Sequence, residues 1–396
     1  MIVFLHIGKP LKGVLIEFFI NPYEEPVTLS KLENSSISHI LPTIKDTPDR
    51  MVTRKNDHIT ICQTQDVESH REIFSNFHFI PEALPEINFT EINTSQLFLG
   101  KKCALPILIT GMTGGVAKGQ EINEALAIAA QNFNIPMGLG SQKMMITDPN
   151  FKKLFNVRKV APSLFLIGNL GAVSLNYGIK IENIQKLIDE LELNAFALHL
   201  NALQECIQPE GERNFSNLLN KIEALVKKIS VPLIIKEVGS GVSATTFQRL
   251  VSIGVSGVDV GGKGGTSWGY IEGLRSDQEG QRLGELFRNW GYGTDESLIA
   301  CSRLKKNLGY NIPLVATGGI RNGLHVAKAV ALGATMAGIG LPLFKAALAT
   351  NAGETPLESV EKELLFFQKS LSIAMFCSGA KTLSELSSRL ARDTLS

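Results

Sequence analysis

The sequence lacks the features that mark several common functional classes. Its 396 residues carry a net charge of only +1, which argues against a surface built to bind nucleic acid or membranes. The five cysteines are widely spaced and form no CxxC pair, so they indicate reduced thiols in a cytoplasmic protein rather than disulfides or a zinc site. No apolar run reaches the roughly 20 residues of a membrane-spanning helix. What remains is an ordinary globular composition, 44% hydrophobic.

The first fifty residues also lack a regular pattern. Charged residues interrupt 1–20 in an order that does not fit a signal peptide, and 21–50 is polar with scattered prolines. We therefore expect residues 1–50 to be a weakly ordered extension and residues 51–396 to form the working domain. A second possibility is that Met51 is the true start of the protein.

Eight short apolar segments recur along the rest of the chain, and a helical pattern follows each of them. They begin near residues 106, 136, 164, 195, 232, 255, 313 and 335. Such alternation predicts an α/β fold with a parallel sheet, and eight units close best as a single (β/α)8 TIM barrel. An open doubly wound sheet is the alternative, although it would not need a polar residue after every strand. Apolar stripes predict helices at 181–191, 215–230 and 356–376, whereas 263–294 shows no period and is expected to be a loop that acts as a lid.

Glycines and one lysine suggest a phosphate-bearing cofactor. The glycine-rich stretches 318–321 and 338–341 follow the seventh and eighth strands, where barrels commonly bind phosphate. Lys236 lies within an apolar strand and needs an anion or an electron-rich ligand, because burying an unpaired ammonium is costly. No GxGxxG motif follows the first strand, which argues against a Rossmann fold. FMN fits this set, with its polar edge near Lys236, Asn169, Ser141 and the backbone of Met112–Gly114.

A second group of donors suggests a second anion. Arg54, Lys55 and His58 lie close together in the chain, and His199 and Asn201 end a predicted strand. This set suits a diphosphate, and the nearby carboxylate of Glu205 could hold Mg²⁺ together with diphosphate oxygens and waters. Two simpler interpretations stay open at this point. The 54–58 cluster could be a solvated start of the domain, and His199 could be a core histidine with satisfied hydrogen bonds.

Taken in order, the motifs RKNDHI, ITGMTGG, GLGSQ, HLNALQE, KEVGSG, GGKGGTSW, GGIRNG and ALGATMAGIGLP resemble those of the type 2 isopentenyl-diphosphate isomerases. These are FMN-dependent (β/α)8 barrel enzymes, and the resemblance runs from about Met51 to the C-terminus. It implies interconversion of isopentenyl and dimethylallyl diphosphate by a 1,3-allylic proton rearrangement in isoprenoid biosynthesis, with reduced FMN as acid and base. It further implies Mg²⁺, NADPH or NADH as reductant, and a homo-oligomer, either a tetramer or an octamer.

The resemblance also implies roles for individual residues. Arg54, Lys55 and His58 would bind the diphosphate, with support from His199 and Asn201. Gln204 would bind the substrate beside the alkene and, with His199 and Asn201, form the catalytic set, and Glu205 would hold Mg²⁺. The residues that would contact FMN are Met112, Thr113, Gly114, Ser141, Asn169, Lys236, Thr266, Gly319, Arg321, Gly340 and Leu341. The chain departs from the family pattern at Asp57, where glutamate is usual, and at Ala202, where proline is frequent.

Two other functions remain open from the sequence. FMN-dependent 2-hydroxy-acid oxidases resemble this barrel, but they place a histidine base and two glycines at a strand end where this chain reads Gly261-Gly262-Lys263. A flavin-binding sensor or scaffold without catalysis is the third possibility. The retained RK…H, LNALQE and KEVG motifs argue against it, and turnover assays would separate the three.

Overall fold

The computed structural model describes residues 47–348 and 353–392. Its strands are β1 (Phe77–Phe79), β2 (Gln96–Phe98), β3 (Lys101–Cys103), β4 (Ile107–Ile109), β5 (Met137–Gly138), β6 (Leu166–Gly171), β7 (Ala195–Leu200), β8 (Leu233–Glu237), β9 (Gly257–Asp259), β10 (Leu314–Thr317), β11 (Met336–Ile339) and β12 (Leu390–Arg392). Its α-helices are α1 (Pro48–Thr64), α2 (Ala117–Asn132), α3 (Lys143–Thr147), α4 (Ile181–Leu191), α5 (Ala202–Ile207), α6 (Leu218–Val226), α7 (Ala244–Ser252), α8 (Trp268–Arg275), α9 (Gln278–Leu286), α10 (Thr294–Asn307), α11 (Gly323–Ala331), α12 (Leu341–Leu348) and α13 (Pro356–Cys377).

Strands β4 to β11 form a closed barrel in which every neighbouring pair is parallel. The sheet closes because β11 also pairs with β4, with Ala337 opposite Ile107. Parallel strands covered by helices are buried on both faces, which is why the eight segments read as continuous apolar runs. The predicted (β/α)8 barrel is confirmed, and the open sheet is wrong.

A hairpin closes the end of the barrel at which the strands begin. Strands β2 and β3 pair antiparallel, and Phe98 and Cys103 pack in one buried cluster with Leu108, Ile167 and Val315 of the barrel strands. The barrel interior is therefore filled at this end. The polar strand ends lie at the opposite end, where barrel enzymes keep their sites.

The helices at 181–191 and 356–376 are confirmed as α4 and α13, but the one expected at 215–230 is shorter. Helix α6 covers only Leu218–Val226, because Asn217 adopts a left-handed conformation with a φ of 55° and so stands outside the helix. A left-handed residue cannot continue a right-handed helix. The apolar stripe therefore extends beyond the helix at both ends.

The expectation of a loop at 263–294 is wrong, because helices α8 and α9 occupy most of this interval, while its role as a lid stays a prediction. The glycines that suggested a loop are packing positions. A Cβ atom added to Gly273 would lie 2.7 Å from the Cα of Gly284, so the two helix backbones are in direct contact there. Glycine permits this approach. Because it adds no apolar side chain to the pattern, the helical periodicity of this interval cannot be recognised in the sequence.

The predicted boundary at residue 51 falls inside helix α1, which begins at Pro48. Met51 is buried on this helix and lines the site described below. The remainder of the predicted extension, residues 1–46, lies outside the described residues. No helix in the described ranges is both long and apolar enough to cross a bilayer.

Candidate active site

Two adjoining cavities open where the barrel strands end. Gly111, Met112, Lys236, Val238 and Trp268 line both of them, so the two spaces share a wall. We call the one covered by helix α1 the first cavity and the one bounded by the glycine-rich loops after β9 and β10 the second cavity. Predicted substrate residues line the first cavity, and most of the predicted cofactor residues line the second.

Helix α1 carries three cationic or donor side chains over the first cavity. Arg54, Lys55 and His58 all line it, because residues four apart on a helix share a face. The other predicted residues that line it are Met112, Ser141, Asn169, His199, Asn201, Gln204, Glu205 and Lys236. Several cations therefore converge on one space, which is a favourable setting for a multiply charged anion.

His199 is neutral and held in one orientation. The Asn169 side chain donates from Nδ2 to the carbonyl of Leu139 at 3.0 Å, so its Oδ1 accepts from His199 Nδ1 at 2.8 Å. His199 Nε2 is then an acceptor. Burial, reinforced by the charges of Lys236, Lys55 and Lys143, lowers the pKa of His199 to about 3.

A fully buried carboxylate, Glu272, joins two of the predicted site residues. Its Oε1 lies 2.9 Å from His58 Nε2 and accepts from Gln204 Nε2 at 2.8 Å, and its Oε2 accepts from Arg275 at 2.5 Å. Burial alone would raise the pKa of Glu272, but the charges and hydrogen bonds of His58 and Arg275 outweigh it and lower the pKa to about 2. Because burial also lowers the pKa of His58, Arg275 is the partner that stays charged at neutral pH. Glu272 thus fixes the side chains of His58 and Gln204 relative to each other.

An ion-pair network ties helix α1 to helix α8. Arg275 lies 3.2 Å from Asp57 and 3.3 Å from Glu210, and Glu210 also lies 3.2 Å from Arg54. These pairs are largely shielded from solvent, apart from Asp57. The network holds α1, with its four cavity-lining residues, in a defined position over the barrel.

Glu205 is buried and engaged at both oxygens. Its Oε1 accepts from Asn201 Nδ2 at 2.8 Å, and its Oε2 accepts from the Glu212 amide at 2.6 Å. Burial raises the pKa of Glu205. The Oδ1 atom of Asn201 beside it is buried without a hydrogen-bond partner, and such an orphaned acceptor fits a donor or a cation.

The second cavity is walled by backbone rather than by side chains. A Cβ atom on Gly318 would lie 2.0 Å from the carbonyl oxygen of Gly262, and one on Gly319 would lie 2.5 Å from that of Gly264. Both Gly318 and Gly319 also have positive φ, at 112° and 76°. The two loops can therefore approach each other this closely only if glycine occupies these positions. Helix α12 begins at Leu341 on the cavity wall, so its first-turn N–H groups are available to an anion.

Lys236 points into the barrel mouth beside a buried acid. It pairs in register with Asp259, whose pKa is raised by burial and lowered in part by Lys236. The carboxylate of Glu237 faces the other way and accepts from the amides of Val238 and Gly239, both at 2.6 Å. Lys236 Nζ contacts only the Glu237 carbonyl, at 3.2 Å, so the ammonium is directed at the cavities rather than at the Glu237 carboxylate.

Comparisons with known proteins give a matching family model and a set of curated relatives. The family model described as FMN-dependent dehydrogenase matches residues 174–393. An isopentenyl-diphosphate delta-isomerase from Rickettsia africae (strain ESF-5) is 41% identical over 337 residues, which cover 85% of this chain and 96% of that protein. The chain belongs to the isopentenyl-diphosphate delta-isomerase family. A further member, from Nostoc sp. (strain PCC 7120 / SAG 25.82 / UTEX 2576), is 41% identical over 348 residues, covering 87% and 96%.

The solved structures that resemble the chain share its fold. A flavocytochrome b2 with sulfite bound is 19% identical with a TM-score of 0.62, covering 89% of this chain and 88% of that one. A mandelate oxidase mutant with an FMN adduct is 18% identical with a TM-score of 0.55, covering 85% and 92%. At such identities the likeness concerns architecture alone. Membership of the isopentenyl-diphosphate delta-isomerase family confirms the resemblance inferred from the motifs, and the FMN-dependent dehydrogenase match supports FMN as the cofactor.

Family membership leaves the individual site residues to be judged by their position. Thr266, Gly319, Arg321, Gly340 and Leu341 line the second cavity, together with Lys236 and Met112. Thr113 and Gly114 lie outside the linings of both cavities. Gly114 packs on Phe155, since a Cβ there would lie 2.4 Å from its ring, and Thr113 is buried. Their roles in binding FMN stay predictions.

Sequence reasoning missed several residues of the site. Lys143 and Glu212 line the first cavity and pair at 2.9 Å, and Ser174 donates to Glu212 at 3.0 Å. Glu272 was hidden because its segment looked like a loop. Its spacing of four residues after Trp268, which places both residues on one face of a helix, was the signal in the sequence that could have linked Glu272 to the site.

Proposed function

We propose that this chain interconverts isopentenyl and dimethylallyl diphosphate, using reduced FMN. The observation that carries the proposal is the pair of cavities that share Lys236 and Trp268. One is lined by cations suited to a diphosphate, and the other is a glycine-walled pocket suited to a flavin phosphate. The names of the curated relatives support the same reaction.

The cations of the first cavity would bind the diphosphate. Lys55 is buried and Arg54 is half-buried, so their charges are poorly screened by water. Lys143 and Lys236 approach from the barrel side. Each lysine lowers the pKa of His199, which is what a concentrated positive field does to a neighbouring base. A bound diphosphate would offset these lysine charges, although not the larger effect of burial, and would so favour a protonated His199 Nε2 that donates a hydrogen bond to a phosphate oxygen.

Apolar side chains in the same cavity would hold the five-carbon chain. Met51, Met112, Met144 and Trp268 line it alongside the polar groups, and methionine adapts well to small branched hydrocarbons. Gln204 lies among them with its amide fixed by Glu272, so we propose that it lies beside the alkene. The walls would also keep water from a positively charged transition state.

The second cavity fits FMN by its donor chemistry. Arg321, the glycine loops and the start of helix α12 suit the phosphate, and Lys236 suits the polar edge of the ring. When bound in its reduced form, FMN supplies the acid and the base that add a proton at one carbon and remove one from another. The protein's own residues bind both anions and fix the alkene against the shared wall.

We further propose that Glu205 holds Mg²⁺, with the orphaned Asn201 Oδ1 as a second oxygen donor. Within the described residues no group of three or more His, Cys, Asp or Glu side chains could enclose a metal. Few protein ligands suit Mg²⁺ when substrate phosphates and water complete its octahedron. The oxygen atoms of Glu205 and Asn201 therefore suit a cation that is bound together with the diphosphate.

Three finer features complete the proposal. NADPH or NADH would reduce the flavin, as in the family resemblance. A cytoplasmic location is supported by five free cysteines in the described chain. A homo-oligomer, a tetramer or octamer in the family resemblance, is proposed, and exposed apolar side chains at Leu286, Trp290 and Tyr292 support a contact between subunits, since such patches mark contacts between proteins.

The test is a turnover assay on the full chain supplied with FMN, Mg²⁺ and a chemical reductant under anaerobic conditions. The proposal predicts conversion of isopentenyl diphosphate to dimethylallyl diphosphate, and no oxygen uptake with lactate or glycolate when the oxidised protein is assayed in air. Oxygen uptake without isomerisation would support the 2-hydroxy-acid oxidase. Flavin binding without either reaction would support the sensor or scaffold.

A further inference from the structure

An ion pair stands at the edge of the second cavity. The side chains of Arg321 and Glu68 are in direct contact, and each is about one-third exposed, at 31% and 34%. Arg321 follows β10 and lines the cavity beside Gly319. Glu68 comes from the segment between α1 and β1 and lies outside the lining. An acidic side chain from a distant part of the sequence therefore holds the arginine that faces the proposed phosphate position.

The contacts of Arg321 leave it poorly placed to bind a phosphate with both terminal nitrogens at once. Its NH1 donates to the Ile320 carbonyl at 2.8 Å, and its NH2 contacts Glu68. Arginine binds phosphate best through two parallel N–H donors. To present that edge to a phosphate, Arg321 has to release the Glu68 carboxylate.

The backbone around Glu68 is fixed, while its side chain is about one-third exposed even though Oε1 itself is buried. Glu68 forms a bridge to Thr266, and its carbonyl accepts from Arg288 Nε at 2.8 Å. The amide of Ser69 donates to Gly265 at 2.9 Å. A rotation of the Glu68 side chain into water would therefore free Arg321 without moving the segment.

We propose that the Glu68 carboxylate competes with the phosphate of FMN for Arg321 and thereby weakens cofactor binding. The inference rests on the proposed function, because it requires FMN in the second cavity. A carboxylate also repels a phosphate dianion nearby, so its charge opposes binding in two ways. Glu68→Gln keeps an oxygen that can accept from Arg321 but removes the charge. We expect this variant to bind FMN about tenfold more tightly, as a charge interaction screened at a surface would give.

The experiment measures the dissociation constant of FMN from the full chain by quenching of flavin fluorescence. It compares wild type, Glu68→Gln, Arg321→Gln and the double variant. Asp66→Asn is the matched control, because Asp66 is an acid of the same segment that pairs with Arg288 at 2.9 Å instead of Arg321. Riboflavin, which has no phosphate, is the second probe.

The proposal predicts tighter FMN binding by Glu68→Gln, unchanged riboflavin binding, and less than a twofold effect of Asp66→Asn. When Arg321 is already replaced by glutamine, adding Glu68→Gln should tighten FMN binding by less than about threefold, since the two residues are coupled. Weaker or unchanged FMN binding by Glu68→Gln would overturn the proposal, as would an equal gain for riboflavin. If neither the wild type nor Glu68→Gln binds FMN, the proposed function falls as well, so the two failures are distinguishable.

Discussion

Replacing Glu272 with glutamine tests the buried network that organises the first cavity. Glu272 is fully buried and accepts from Gln204 and Arg275, with His58 at 2.9 Å. Folding lowers the pKa of Glu272 from 4.5 to about 2, and at about 1.4 kcal/mol for each tenfold change in proton affinity this corresponds to about 3 kcal/mol. Glu272→Gln should therefore lower the free energy of unfolding at pH 7 by about 3 kcal/mol, measured by urea denaturation.

The dependence on pH gives the sharper test. A carboxylate with a depressed pKa stabilises the fold fully above its ordinary value of 4.5 and loses that contribution as the pH falls toward about 2. The difference between wild type and Glu272→Gln should accordingly shrink below about pH 4.5. Glu285→Gln is the control, because Glu285 also lies three residues before an arginine but is exposed and 3.8 Å from it. A loss below 1 kcal/mol, or one that does not change with pH, would refute the reasoning.

Three further predictions concern the ligands. Lys236→Met should yield colourless protein that still melts cooperatively, and a normal flavin content in its absorption spectrum would remove Lys236 from the cofactor site. Glu205→Gln should abolish Mg²⁺-dependent turnover while the protein keeps its yellow colour. In the wild type, burial raises the pKa of Glu205, so as the pH is lowered the Mg²⁺ affinity measured by titration calorimetry should begin to fall at a higher pH than for an ordinary carboxylate. Gly319→Ala should weaken FMN binding at least tenfold, since its Cβ would meet Gly264 at 2.5 Å; unchanged binding would show that the loop can shift.

The barrel could be predicted because its strands are short, apolar and bounded by turn residues. Burial on both faces removes any need for polar residues within them, so all eight segments are visible in the sequence. Helices α8 and α9 could not be predicted in the same way. Their contact requires glycine at positions 273 and 284. These glycines replace apolar side chains on the helix faces, so the sequence pattern resembles that of a loop.

Site residues could be predicted where a charged side chain interrupts or ends an apolar segment. Lys236 in an apolar strand and cations at strand ends are conspicuous, and both line the cavities. In the sequence, Glu272, Glu210 and Lys143 look like ordinary charged residues exposed to solvent. Only the fold brings Glu272 into contact with His58, which lies 214 positions away in the chain. The Glu68–Arg321 pair, likewise, depends on the bridge that brings Glu68 beside Thr266.

Relocation of an alkene on a diphosphate by proton exchange, in a cavity that adjoins the flavin, is best tested by isotope labelling. The protein, reduced FMN, Mg²⁺ and isopentenyl diphosphate are incubated anaerobically in D₂O, and the products are analysed by mass spectrometry. We expect dimethylallyl diphosphate that carries deuterium in its hydrocarbon part, and loss of this activity when flavin is omitted. Unlabelled product, or product formed equally well without flavin, would show that the reaction does not proceed in this way.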